Sequence, residues 1–172
     1  IMHAISDLKF EYCTPIQAQL LSHTLGGKDA TAKAQTGTGK SASFIITILS
    51  RFIAHAHKNK KGFPRALILA PTRELVHQIE KDFKALAKYT NIRIVAVYGG
   101  TGYHKQQQLL KEKPVDVIAA TPGRLIDFIE KRLINPSKIE IMIIDEADRM
   151  LDMGFIPDVR RIIYKTPPKD KR

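Results

Sequence analysis

The chain alternates short apolar runs with longer amphipathic stretches. Four apolar runs predict buried strands, at residues 66–70, 92–97, 115–119 and 141–144, and a weaker run predicts a further strand at residues 30–33. Apolar residues at helical spacing predict helices at about residues 15–25, 41–55, 73–88, 103–112, 123–132 and 156–164. This alternation predicts an α/β fold, with a mostly parallel sheet and helices on both of its faces.

Composition narrows the class of protein. The 172 residues suffice for one domain, and the 44% apolar content excludes a disordered or collagen-like chain. A net charge of +11 favours polyanionic partners, namely nucleic acid, nucleotide phosphates or an anionic membrane surface. Cys13 is the only cysteine, which excludes an intrachain disulfide and a cysteine-based zinc site.

The N-terminal residues and the apolar runs bear on where the protein is expected to be found. Residues 1–10 lack the features of a signal peptide, and no apolar run approaches the ~18 residues of a membrane span, so a cytoplasmic protein is the default expectation. The abrupt start at Ile1 and the charged, proline-bearing tail from Lys165 favour a fragment cut at a linker. We expect one domain at residues 1–165 and a tail at 166–172. The basic run at residues 58–62 is interpreted as a solvated surface loop.

A glycine-rich loop after the weak first strand matches a phosphate-binding P-loop. Gly37 and Gly39 permit close approach of the backbone, so that loop amides and the next helix can face phosphate oxygens. Lys40 is expected on the β- and γ-phosphates, and the Ser41 hydroxyl on Mg²⁺. A dinucleotide or kinase loop is excluded because Ala42 stands where a third glycine is required. The remaining loop residues predicted to bind nucleotide are Gln35, Thr36 and Thr38.

An acidic tetrad follows the last predicted strand. Asp145 is expected to hold Mg²⁺, directly or through water, and Glu146 to orient the attacking water. The alternative is an acidic cluster that merely favours a helix N-terminus.

The segment before the first predicted helix indicates which base is bound. The amide of Gln17 can accept from adenine N6 and donate to N7, and an aromatic such as Phe10 can stack on the base. The alternative is structural, because Thr14 followed by proline is an ordinary helix N-cap. A guanine site is unsupported, since Asn59-Lys60 lacks the aspartate that should follow.

Three further loops follow predicted strands and suit a sugar-phosphate backbone. Loops after the carboxyl ends of strands line the ligand crevice of such sheets, so we expect all three at the edge that holds the P-loop. Their arginines, hydroxyls and glycines bind backbone rather than base edges. Each threonine is also a good N-cap, which is the structural alternative. The residues predicted to bind a nucleic-acid backbone, which the family resemblance given below implies is RNA, are Pro71, Thr72, Arg73, Gly99, Gly100, Thr121, Pro122, Gly123 and Arg124.

Together these motifs resemble those of the DEAD-box helicases. Residues 10–17 resemble the Q motif, 34–41 motif I, 71–75 motif Ia, and 145–148 the tetrad that names the family. The resemblance implies the N-terminal RecA-like domain of an ATP-dependent RNA helicase, with ATP and Mg²⁺ as cofactors. It implies single-stranded and duplex RNA and a second RecA-like domain as partners, with Asp148 coupling the two domains. The likeness is greatest to bacterial members, and we favour the subgroup associated with the RNA-decay machinery.

Some features of the family pattern are altered or lie outside the chain. Lys9 stands where the Q motif has glycine, and Ser41 replaces a threonine. The Ser-Ala-Thr motif and the arginine fingers of the second domain are not in the sequence, so the isolated chain is expected to be nearly inactive. A nucleotide-dependent RNA clamp and a DNA helicase with the same core are the alternative functions.

Overall fold

The computed structural model describes residues 1–33, 37–56, 59–100 and 102–168. Four strands form one sheet: β1 (Ala66–Leu69), β2 (Ile94–Val97), β3 (Val117–Ala120) and β4 (Ile141–Ile144). Eight α-helices are found in these ranges: α1 (Met2–Asp7), α2 (Pro15–Thr24), α3 (Lys40–Ala54), α4 (Arg73–Leu86), α5 (Tyr103–Glu112), α6 (Pro122–Glu130), α7 (Ala147–Asp152) and α8 (Ile156–Lys165). Within them, no helix is both long enough and apolar enough to cross a membrane.

The chain divides into two compact units. The first unit contains residues 1–57 and 81–92, and the second contains residues 58–80 and 93–172. The first unit therefore holds α1, α2 and α3, and the second holds the whole sheet.

Helices α2 and α3 pack together in the first unit. The hydroxyls of Thr24 and Thr47 lie 2.7 Å apart and join the two helices. Helix α3 buries Ile45, Ile48 and Phe52 at helical spacing, which explains why this stretch folds as an amphipathic helix. The end of α1 is held by Asp7, which accepts hydrogen bonds from Lys88 Nζ at 2.6 Å and Tyr89 Oη at 2.7 Å.

The sheet of the second unit is entirely parallel, in the order β2-β3-β1-β4. The inner strands β1 and β3, and also β2, are buried along their whole length, and β4 is partly exposed. The predicted α/β fold with a parallel sheet is confirmed. Because all strands run the same way, the loops that follow them emerge at one edge.

A buried ion pair lies at the opposite edge of the sheet, where the strands begin. Arg65 is 3% exposed and binds both carboxylate oxygens of Glu140, at 2.6 and 3.1 Å. Its backbone N–H donates to Asp116 O, and its carbonyl accepts from the Glu140 N–H. One residue thus ties together the amino ends of β1, β3 and β4.

The predicted strand at residues 30–33 is wrong. These residues have no strand conformation, and all but the half-buried Ala32 are exposed. Alanine, threonine and lysine offer little apolar surface to bury, and none of these four residues pairs with a described strand. The other four strands are confirmed, and the six predicted helices end within two residues of their observed bounds.

Candidate functional site

The Q-motif segment contacts the glycine loop within the first unit. Thr14 caps α2 in a capping box, because its Oγ1 accepts from the Gln17 N–H at 3.4 Å and Gln17 Oε1 accepts from the Thr14 N–H at 2.9 Å. The same Thr14 hydroxyl donates to Thr38 O at 2.9 Å. The structural alternative is therefore confirmed, since Thr14 is a helix cap, and it also bonds to the loop backbone. A role for Thr14 in binding ATP stays a prediction.

The side-chain amide of Gln17 makes a second contact with the loop. Its Nε2 donates to Gly39 O at 3.2 Å. A primary amide has two N–H groups and two lone pairs, so one of each remains beyond the two bonds to Gly39 and Thr14. Recognition of adenine by Gln17 stays a prediction, and it would use this remaining capacity. Phe10, the predicted stacking residue, is 47% exposed.

The glycine loop leads directly into the N-terminus of α3. Gly37 and Gly39 both have φ +86°, a left-handed conformation that favours glycine. Gly39 is the N-cap of α3 and, having no side chain, makes no capping hydrogen bond to the N–H groups of the first turn. Lys40 and Ser41 open the helix and are half-buried. Such an N-terminus suits phosphate. Gln35 and Thr36, also predicted to bind nucleotide, lie outside the described residues.

Four loops meet at the carboxyl edge of the sheet in the second unit. Residues 71–73 follow β1, 99–100 follow β2, 121–124 follow β3 and 145–148 follow β4. The three predicted RNA loops therefore lie on one edge with the acidic tetrad. Their placement on the edge that holds the P-loop remains a prediction.

The acidic tetrad contains a residue in an uncommon backbone conformation. Glu146 has φ +50° and ψ +50° and is the N-cap of the short helix α7. Its N–H donates to Asp145 Oδ1 at 3.0 Å, and its Oε2 lies 3.4 Å from Nη1 of Arg149. A non-glycine residue held in the left-handed region stores strain of the kind that clusters at active sites. Asp148 is exposed in the first turn of α7, where the helix dipole favours a carboxylate.

The predicted magnesium ligands have suitable chemistry. Asp145 offers a carboxylate and Ser41 a hydroxyl, and hard oxygen donors of this kind are what Mg²⁺ prefers. In the described ranges, no group of three or more His, Cys, Asp or Glu side chains could hold a metal ion.

The loop after β1 combines a helix cap with an exposed arginine. Thr72 Oγ1 accepts from the Leu75 N–H at 3.2 Å, so Thr72 caps α4 as the structural alternative predicts, and Pro71 is buried. Arg73 is exposed and donates to Glu74 at 2.6 Å, which lowers the pKa of that carboxyl. The guanidinium of Arg73 also lies 4.0 Å from where a Cβ on Gly100 would stand, so the first two loops are neighbours.

The third loop carries an arginine that is packed against aromatic rings. Arg124 stacks on Tyr103 at 5.0 Å and on Phe128 at 5.7 Å, and its Nη1 is buried without a hydrogen-bond partner in the described part of the chain. An unsatisfied buried donor calls for an explanation, and a ligand is one. Thr121 is the N-cap of α6, followed by the buried Pro122, but its side chain makes no capping bond, unlike that of Thr72.

Two glycines leave open space at this edge. Among the described residues, a Cβ built on Gly99 or on Gly123 meets no heavy atom within 4 Å. Packing within the chain does not demand glycine at either position. Open backbone of this kind permits the close approach of a nucleic-acid strand.

Two positioning residues escaped the sequence analysis as such. The buried amide of Gln106 binds the backbone of Tyr98, immediately before Gly99. Tyr103 lies under Arg124 and accepts a hydrogen bond from Lys131 at 2.7 Å. The one sequence signal for Gln106 is that a polar residue stands at a position where the helical pattern predicts burial. No sequence signal points to Tyr103.

Comparison with known proteins places this geometry in a family. The family model for DEAD/DEAH box helicases matches residues 14–172. The ATP-dependent RNA helicase RhlB of Pseudomonas putida is 53% identical over the whole chain, which covers 44% of that protein. Its namesake in Actinobacillus succinogenes is 46% identical, with 41% covered.

A solved structure agrees with the sequence matches. The crystal structure of a hypothetical ATP-dependent RNA helicase from Sulfolobus tokodaii superposes with a TM-score of 0.86 at 34% identity, over 99% of this chain and 47% of that one. The chain therefore spans less than half the length of these relatives. With motifs, fold and sequence in agreement, the chain belongs to the DEAD/DEAH box helicase family.

Proposed function

We propose that this chain is the ATP- and RNA-binding half of an ATP-dependent RNA helicase. The complete protein would couple ATP hydrolysis to local separation of RNA duplexes or to remodelling of RNA–protein complexes. The observation that carries the proposal is the pair of hydrogen bonds from Thr14 and Gln17 to the backbone of the glycine loop. These bonds join the segment assigned to the base and the loop assigned to phosphate, which supports a single nucleotide site.

Three groups of residues are assigned to the base, the phosphates and the magnesium ion of the nucleotide. Phe10 and Gln17 bind adenine, and the loop amides and the N-terminus of α3 bind phosphate. Lys40 neutralises the β- and γ-phosphates. Asp145 and Ser41 are the residues assigned to Mg²⁺, which when bound neutralises phosphate charge. Glu146 orients the attacking water, and its strained backbone fixes the direction of its carboxylate.

Two variants of the full-length protein test these assignments. Lys40→Ala should weaken binding of a fluorescent ATP analogue in the presence of Mg²⁺, because the cation on the phosphates is lost. Glu146→Gln should bind the analogue as tightly as wild type but lose turnover, because water activation is lost. Unchanged nucleotide affinity in Lys40→Ala, or normal turnover in Glu146→Gln, would contradict the assigned role.

The carboxyl edge of the sheet is assigned to the RNA backbone. Arg73 and Arg124 supply positive charge, Thr121 supplies a hydroxyl that does not cap its helix, and the backbone at Gly99 and Gly123 admits the strand. Contacts of this kind give affinity with little sequence preference.

Gly123→Ala provides a sharp test of the RNA edge. Alanine is the better helix former inside α6, and its Cβ meets nothing in the chain, so stability should rise or stay unchanged. Affinity for a labelled single-stranded RNA should nevertheless fall severalfold, because the Cβ occupies the space of the backbone ligand. Unchanged RNA affinity would remove this loop from the interface.

Competition with DNA tests the nucleic-acid class. Proteins distinguish RNA from DNA through 2′-hydroxyl contacts, so matched RNA and DNA strands should compete unequally for the full-length protein. Preference for DNA would overturn the proposal. Slow hydrolysis by residues 1–172 alone, against RNA-stimulated hydrolysis by the full chain, is expected if the second RecA-like domain supplies arginine fingers.

The cellular setting is also a proposal. We place the complete protein in the cytoplasm and take proteins of the RNA-decay machinery as its partners. The support is the likeness of its motifs to bacterial members of the family. Co-purification of the tagged full-length protein with ribonuclease-containing complexes is the expected result, and its absence from them would contradict this setting.

A further inference from the structure

A cavity of about 440 Å³ opens at the amino edge of the sheet. It is lined by residues that precede β1 and β4, by the end of α6 and by the last residue of α8. Each strand of the sheet has four residues, about 13 Å of extended chain. The cavity therefore lies across the sheet from the loops assigned to RNA.

The cavity has an apolar floor and a cationic rim. Phe63, Ile134 and Pro136 are buried or half-buried, and they form the floor. The exposed side chains of Lys61, Arg132 and Lys165 form the rim. Lys61, which is exposed as expected for a solvated surface loop, lines the cavity together with Gly62.

The three rim cations are uncompensated. Within the described ranges none of them forms an ion pair, and no aspartate or glutamate lines the cavity. Nearby cations behave differently, since Lys131 pairs with Asp127 at 2.7 Å and Arg161 with Glu130 at 2.6 Å. A positive rim of this kind attracts an anionic ligand.

Arg132 occupies a position where glycine is the usual residue. It follows the C-terminus of α6 with φ +57°, and the Leu133 N–H donates to Phe128 O at 2.9 Å. This is a Schellman-type helix end, whose left-handed residue is most often glycine. The chain thus keeps a long cationic side chain at the rim although the backbone favours a residue without one.

We propose that this cavity binds an acidic peptide segment of a partner protein, with one apolar side chain on the floor and carboxylates on the rim. The floor favours a peptide over RNA. Phe63 could stack on a base, but recognition of a single-stranded base also uses hydrogen bonds to its edges. Asn135 is the only lining side chain with an amide, and its Oδ1 already accepts from the Ser137 N–H at 3.0 Å. Carboxylates on a cationic rim around an apolar anchor match both parts of the cavity.

The test measures fluorescence anisotropy of a labelled peptide with the 172-residue chain. The probe has one phenylalanine flanked on each side by three glutamates. Arg132→Gly removes a rim cation and at the same time relieves the left-handed backbone, so a loss of binding cannot be a loss of folding. We expect affinity about three- to fivefold weaker in Arg132→Gly, and about tenfold weaker when Lys165→Ala is added.

The chain offers a matched control for this variant. Like Arg132, Lys9 is an exposed cationic residue that follows a helix in the left-handed conformation, with φ +55°. Unlike Arg132, it does not line the cavity. Lys9→Gly therefore makes the same change of charge and backbone elsewhere, and peptide affinity should stay at the wild-type value. A probe with glycine in place of phenylalanine should bind more weakly than the original, because the floor is left empty.

Three results would overturn the proposal. They are wild-type affinity in Arg132→Gly, equal losses in Lys9→Gly and Arg132→Gly, and equal affinity of the phenylalanine and glycine probes. Binding of a labelled single-stranded RNA, measured with the same variants, distinguishes an RNA site from a peptide site. If Arg132→Gly weakens RNA binding and leaves peptide binding unchanged, the cavity is an RNA contact and the peptide proposal fails.

Discussion

Gln106 holds both backbone polar groups of Tyr98. Its Nε2 donates to Tyr98 O and its Oε1 accepts from the Tyr98 N–H, each over 3.1 Å. Gln106 is 4% exposed, so both bonds are shielded from water. Gly99 and Gly100 follow at once, and the clamp fixes the point at which this glycine pair leaves the sheet.

We predict that Gln106→Leu lowers the free energy of unfolding by about 2 kcal/mol, because it leaves a backbone N–H and C=O unsatisfied. RNA affinity should fall as well, since the glycine pair loses its fixed start. Urea unfolding and RNA anisotropy measure the two effects. Gln108→Leu is the control, because Gln108 is exposed on the same helix and its amide donates to Glu112, another exposed residue of that helix. Equal effects of the two substitutions would refute the clamp.

The two glycines of the phosphate loop should respond differently to alanine. Both have φ +86°, but a Cβ on Gly39 would clash with Gln17 Nε2, whereas one on Gly37 meets no atom of the described residues within 4 Å. Both variants pay for the left-handed conformation, at about 1–2 kcal/mol. Gly39→Ala should lose a further ~1–2 kcal/mol of stability, because Gln17 must move and give up its hydrogen bonds.

A double-mutant cycle isolates that contact. In a Gln17→Ala background, the extra loss of stability in Gly39→Ala relative to Gly37→Ala should largely disappear. Urea unfolding of the six proteins provides the data. Persistence of the full difference without the Gln17 side chain would show that the contact does not determine it.

Lys9→Gly should stabilise the chain. Lys9 ends α1 with φ +55°, while the Phe10 N–H donates to Ile5 O at 3.2 Å in a Schellman-type arrangement. Relief of the left-handed strain outweighs the added entropy of the unfolded glycine by about 0.5–1 kcal/mol. Lys9→Ala keeps the Cβ and removes the same charge, so it should give no gain. Thermal unfolding distinguishes the three proteins.

Acid should remove the stabilising effect of Asp7. Hydrogen bonds from Lys88 and Tyr89 hold the pKa of Asp7 below its ordinary value of 3.8. A carboxyl with a lowered pKa in the folded state stabilises at pH values above the unfolded pKa, and this stabilisation is lost as the pH falls through the folded pKa. Asp7→Asn should therefore be less stable than wild type at neutral pH, and the difference should shrink below about pH 3.8. A difference in unfolding free energy that is independent of pH would contradict this linkage.

Local sequence signals predicted most of the fold. Apolar periodicity located α5 and β4 at their observed bounds, and the Thr14-Pro15 start of α2 was visible as a cap. Periodicity missed α1 and α7, since six residues give too few turns to show a pattern. It also wrongly predicted a strand at residues 30–33, where small and polar residues do not sustain a buried strand.

The sequence motifs identified the candidate site residues but not how they are held. Nothing local reveals that Gln17 reaches Gly39, or that Arg124 lies against Tyr103, because tertiary packing creates these contacts. The cationic cavity was missed for the same reason. The three rim cations, Lys61, Arg132 and Lys165, are far apart along the chain. The fold brings them together because the ends of α6 and α8 lie at the amino edge of the sheet.

The left-handed backbone of Glu146 has a consequence for engineering this protein. Glycine or asparagine at that position would relieve about 1–2 kcal/mol of strain, so a selection for heat resistance alone would enrich such replacements. The same replacements would delete the carboxylate assigned to the attacking water. Variant libraries designed to raise the thermal stability of this chain should therefore keep Glu146 unchanged, or be screened for ATP turnover as well as for thermal stability.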